Sequence, residues 1–172
     1  GSCYLLQTGG FDLLVDCGME QGRDIYENQP LPLAPGQVDC MLLTHAHIDH
    51  SGRIPLMVKN GYKGPVFTTG ATAELCGIML RDSAHIQEFE AEWRNRKAQR
   101  SGGEEYQPLY TMQDAEAALA LFHEVDYGET VEVGPNIRAR FTDVGHLLGS
   151  ASIELWVTEG EETRKIVFSG DI

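Results

Sequence analysis

A chain of 172 residues, 42% hydrophobic and 23% charged, has the length and composition of one globular domain with room for a core. Its net charge of −13 argues against a surface that grips nucleic acid unaided. It holds no apolar run of the roughly 18 residues that cross a membrane.

The chain opens at "GSCYLLQTGG" without Met and without a signal-peptide pattern, so its natural start is expected to lie elsewhere. "CYLLQT" and "FDLLVD" flank Gly9 and Gly10 and predict a β-hairpin. "CMLLT" predicts a short strand covered on both faces. "SGRIPLMVKNG" reads as a short helix stopping at Asn60-Gly61, and "GPVFTT" as another strand. From about Ala71 to Arg100 a long helix is predicted, with Leu75, Met79, Ile86, Phe89 and Trp93 as its apolar stripe. A break at Gly102-Gly103 lies within a polar loop from Arg100 to Pro108. A further helix is then expected from Gln113 to Phe122, with Thr111 as N-cap and Asp114 as its capping-box partner. The remainder reads as strands: "TVEVG", "IRARFTDV", "ASIELWVTE" and "TRKIVFSGD". Strands, then helices, then strands predict two sheets with helices on their outer faces. Cys3, Cys17, Cys40 and Cys76 are widely spaced with no C-x-x-C pair, which predicts reduced thiols and a cytoplasmic protein.

Polar residues of ligand type end the apolar strands: Asp16 after "LLV", His45 and His47 after "MLLT", His146 after "RFTDVG", and Asp171 after "IVFSG". Rigid strands handing over to loops commonly carry binding groups. Within "HAHIDH", alternation lets His45 and His47 point the same way. Asp49 and His50, being adjacent, are expected to point apart and serve a second ion. Imidazoles and carboxylates without thiolates suit zinc. His85, on the long helix, reads as structural or groove-lining. His123 reads as a polar residue after a helix end. The basic run "RNRKAQR", preceded by Trp93, reads as a solvated helix end, and Cys17 as a buried thiol turned away from Asp16.

"THAHIDHSG" resembles the H-x-H-x-D-H signature of the metallo-β-lactamase superfamily, and "VDCG", "DVGHLLGSAS" and "VFSGD" resemble its first, third and fourth motifs. The block "SGRIPLMVKNGYKGPVFTTGATAELCGIMLRDSAHIQE" is similar to the β-CASP branch, the RNA-processing nucleases that include RNase J and 3′-end cleavage factors. It separates His50 from His146 by nearly a hundred residues. The resemblance implies an α/β fold, a four-layered αββα sandwich in incomplete form. In that branch an inserted domain follows the fourth-motif aspartate, after which the chain returns. Residues 1–172 are therefore expected to be the N-terminal portion, with the β-CASP insertion and the C-terminal completion outside it.

The resemblance also implies roles. His45, His47 and His146 would hold a first zinc, Asp49 and His50 a second, and Asp171 would bridge both. Asp16 would take part in catalysis by accepting a hydrogen bond behind the ligand loop, and Asp49 would also handle a proton. Two ions about 3.5–4 Å apart would share a hydroxide for in-line attack on a phosphodiester. The implied function is a zinc-dependent ribonuclease of RNA processing or decay, with RNA as partner of the full-length protein. A thioester or lactone hydrolase of the glyoxalase II kind is the alternative, and a non-catalytic scaffold a third. The family's later histidine for the second ion is absent from these residues, so that site is expected to be weak and this form to cleave RNA poorly. An uncovered sheet edge is expected to favour a homodimer. No residue is assigned to substrate binding.

Overall fold

The computed structural model describes residues 1–20, 33–101 and 103–172, so Gly102 of the expected break lies outside the described residues. β1 (Tyr4–Thr8) and β2 (Phe11–Val15) form the expected hairpin, turning through Gly9 and Gly10, both at positive φ. β2 continues in parallel with β3 (Cys40–Leu42), β4 (Val66–Thr68) and β5 (Phe122–Glu124), giving one sheet in the order β1-β2-β3-β4-β5. The crossover from β3 to β4 carries α1 (Ile48–Ser51) and α2 (Ile54–Lys59). That from β4 to β5 carries α3 (Gly70–Ser101) and α4 (Met112–Leu119). The second sheet is an antiparallel meander of β6 (Thr130–Gly134), β7 (Ile137–Asp143), β8 (Ala151–Glu159) and β9 (Glu162–Phe168).

Alternation along β2 and β3 sets the layering, because successive strand side chains leave on opposite faces. Leu13, Val15, Cys40 and Leu42 meet Ile137, Phe141, Ile153 and Leu155 between the sheets. Leu14, Met41 and Leu43 meet Ile54, Met57, Leu80 and Ala115 beneath the helices. "CMLL" is apolar at every position because both faces are covered. The layers run helix, sheet, sheet. Among the described residues no helix covers the outer face of the second sheet, where Arg140 and Lys165 flank Trp156 and pair with Glu154. The four-layered expectation is thus met in three of its layers.

Two helices depart from expectation. α4 begins as its capping box requires, with the Asp114 carboxylate accepting from Thr111 N at 2.8 Å, but it ends at Leu119. Phe122–Glu124 extends the first sheet instead, since Val66 N donates to Leu121 O and Val125 N to Thr68 O. His123 therefore sits in a strand with its ring near Phe67, not at a helix end. In α3 the fully buried side is Cys76, Leu80, Ala84 and Ala91. Of the expected stripe, Leu75 and Met79 pack against the core, but Ile86, Phe89 and Trp93 face outward at 48%, 62% and 59% exposure. Two alanines make much of the buried contact, and residues that small carry little periodic signal.

Candidate metal centre

The loop after β2 and the short helix α1 are built as one piece. Asp16 takes a left-handed φ of 58°, which a short polar side chain tolerates. The chain then runs alongside α1: Cys17 N donates to His50 O, Met19 N to Ile48 O, and Arg53 N to Cys17 O. Gly18 lies so close that a Cβ there would fall 1.6 Å from Asp49 O, so glycine is the residue that permits the approach. His45 and His47 follow β3, whereas Asp49 and His50 sit on α1 itself. On a helix neighbours diverge by only about 100°. Asp49 Oδ2 and His50 Nε2 consequently come within 3.8 Å, correcting the expectation that they point apart. The second sheet supplies the rest, His146 beyond β7 and Asp171 beyond β9.

His45 Nε2 lies 3.1 Å from His47 Nδ1, and His146 Nε2 lies 3.3 Å from the same atom. Asp171 Oδ2 stands 3.7 Å from His146 Nε2 and 4.0 Å from His45 Nε2. A tetrahedral ion with bonds of about 2.0–2.1 Å spaces its donors about 3.3–3.4 Å apart, so these four atoms fit a divalent cation. The other carboxylate oxygen, Asp171 Oδ1, is 3.3 Å from His50 Nε2. Asp171 thus faces the three-histidine group with one oxygen and the His50–Asp49 pair with the other. Burial, then the nearby His50 and His47 rings, lower the His45 pKa to about 4, leaving its imidazole neutral near pH 7. For His50 burial acts in the same direction, but the hydrogen bond to Asp16 and the carboxylates of Asp16, Asp49 and Asp171 outweigh it and raise the value.

Asp16 is buried, and its oxygens are occupied by protein donors. Oδ1 accepts from Thr44 N at 2.8 Å, Oδ2 accepts from His50 Nδ1 at 2.8 Å, and Thr44 Oγ1 reaches both oxygens. Thr44 was not singled out from the sequence, although its hydroxyl also lies 3.0 Å from His45 Nδ1. The available signal was a hydroxyl residue directly before the first histidine in "LLTHAH". A cavity of about 340 Å³ opens beside His50 and Asp171, bordered by Ser2, Tyr4 and Phe168. His85 is not part of this centre; it lines a separate groove of about 470 Å³ with Phe89, Glu92 and Tyr106. Cys17 is a buried thiol, as expected.

A family model described as the metallo-beta-lactamase superfamily matches residues 1–172, and the chain belongs to that superfamily. It is 38% identical over 173 residues to a ribonuclease of Thermus thermophilus, covering 100% of this chain and 35% of that protein. It is 33% identical over 178 residues to the transcription termination factor FttA of Methanosarcina mazei, covering 99% of this chain and 25% of the factor. These are relatives of the kind that the branch resemblance leads one to expect. The chain spans only about a third and a quarter of their lengths. Among solved structures, a metallo-β-lactamase of Cronobacter sakazakii superposes with a TM-score of 0.57 at 19% identity, over 96% of this chain and 54% of the other. That likeness speaks for the fold alone. Among the described residues no helix is long and apolar enough to cross a membrane.

Proposed function

We propose that residues 1–172 are the metal-binding N-terminal portion of a zinc-dependent β-CASP ribonuclease that cleaves RNA phosphodiesters in the cytoplasm. The observation that carries this reading is the meeting of His45, His47, His146 and Asp171, from three separate strand ends, at donor spacings suited to one cation. The match to a named ribonuclease favours a phosphodiester substrate over the thioesters of the glyoxalase II kind. The remaining length of the relatives supports placing the β-CASP insertion and the completion of the lactamase domain outside these residues. Free thiols at Cys3, Cys17, Cys40 and Cys76 suit a reducing compartment.

In this reading His45, His47, His146 and Asp171 would hold one zinc ion, and Asp49 and His50, with Asp171 between the two groups, would hold a second. Bound zinc supplies an acidified water and a Lewis-acid clamp on the phosphoryl oxygens. The chain's residues do the rest. Asp49, with its side chain 47% exposed, stands at the open rim, where its Oδ2 would be placed to accept a proton. Asp16 is too buried to meet RNA and acts by fixing His50. β9, at the edge of its sheet with Val167 exposed, is where two copies would pair as a homodimer.

The test is cleavage of a labelled RNA by the protein that carries this chain. Asp49→Ala and His50→Ala are expected to abolish turnover while the circular dichroism spectrum is kept. Unchanged RNA cleavage in both variants, or hydrolysis of a glutathione thioester with no action on RNA, would overturn the proposal.

A further inference from the structure

We infer that Thr44 is a positioning residue that fixes the tautomer of His45, so that Nε2 already carries its lone pair towards the centre before any metal arrives. The inference deepens the proposed function and rests on its metal site. It follows from counting hydrogens. An ionised carboxylate accepts and never donates, and a threonine hydroxyl has one hydrogen to give. Thr44 Oγ1 lies 2.9 and 3.0 Å from the two oxygens of Asp16 and 3.0 Å from His45 Nδ1. Were the hydroxyl hydrogen aimed at His45, its oxygen would face two carboxylate oxygens across those distances with nothing between them, in a site only 1–3% exposed. Buried polar atoms left in that state are costly. The hydrogen therefore goes to Asp16, and Oγ1 accepts from His45 Nδ1–H. A neutral imidazole holding its proton on Nδ1 has a bare Nε2, the atom 3.1 Å from His47 Nδ1.

Asp16 applies the same constraint directly to His50, accepting its Nδ1–H and leaving Nε2 towards Asp49 and Asp171. One carboxylate thus orients a histidine in each group, one by contact and one through Thr44. Thr44 is held in place by neighbours from other segments: its carbonyl accepts from Ala151 N at 2.9 Å, and a Cβ on Gly170 would come within 3.0 Å of its own Cβ.

The experiment uses 15N-histidine-labelled protein stripped of metal, with long-range proton–nitrogen correlations to read each ring. His45 is expected to show a protonated Nδ1 and a pyridine-type Nε2. Zinc affinity, measured by chelator competition, is expected to fall about 10–100-fold in the near-isosteric Thr44→Val and to return in Thr44→Ser. A pyridine-type Nδ1 on His45 in the wild type would overturn the inference, as would equal zinc affinity in wild type and Thr44→Val. If Thr44→Val fails to fold, the wild-type spectrum decides by itself. A wild type with the stated tautomer that binds no zinc would instead sink the metal reading and leave the tautomer assignment standing.

Discussion

His45 illustrates how burial prepares a ligand. With its pKa at about 4 against an ordinary 6.5, the folded chain refuses a proton that the unfolded chain accepts between those values. Its contribution to stability is therefore present above about pH 6.5 and is lost as pH falls towards 4. His50, with a raised pKa, works in the opposite sense, adding stability at low pH and losing it as pH rises through its folded value. The melting temperature of the metal-free protein should fall from pH 6.5 to 4, and His45→Gln should flatten that fall; an identical slope in the variant would show that His45 is not its source. At this scale the donor residues were legible because side chains of ligand type ended strand after strand. Thr44 was not. A hydroxyl beside a histidine is unremarkable until the fold brings it against Asp16, 28 residues away in sequence.

Among the elements, α3 separates what periodicity can report from what it cannot. The helix is apolar on two faces. One is lined by Cys76, Leu80, Ala84 and Ala91 and lies against the core; the other carries Ile78, Ile86, Phe89 and Trp93 and is largely exposed. A sequence pattern ranks side chains by size and so favours the exposed face, since alanine barely registers. Leu80→Ala should destabilise the protein by about 2–5 kcal/mol, because it opens a cavity in a fully buried position. Phe89→Ser and Trp93→Ser should change stability by no more than about 0.5 kcal/mol, as exposed surface substitutions do. Denaturant titration distinguishes the two faces, and a large loss at Trp93 would mean that its exposed ring is engaged in the folded protein. β5 was missed for another reason. Three residues following a helix carry almost no strand pattern, and only the ladder to β4 makes them a strand.

Across the whole molecule, the order of strands and helices was readable because each apolar run had the length and alternation of its element. The two sheets followed from the order strands, then helices, then strands, and the cover on both faces of β3 from "CMLL". That no helix among the described residues covers the outer face of the second sheet could not be read, because strands β7 and β8 alternate in the same way whether helices or solvent lie beyond them.

The donors themselves are divided between the two sheets' sides: His45 and His47 follow β3 of the first, with Asp49 and His50 on α1 just beyond, while His146 and Asp171 follow β7 and β9 of the second. An ion gripping both sets would be a rivet through the sandwich, and its residence would govern how often the sheets part. Zinc should therefore slow amide hydrogen exchange along β8 and β9 as well as β3. The outer part of α3, from His85 to Gln99, is anchored to neither end of the rivet and should exchange at an unchanged rate. If the slowing stayed within the loops that bear the donors, the sheets would be opening independently, and the metal would be a passenger in the fold's breathing with no hold over its tempo.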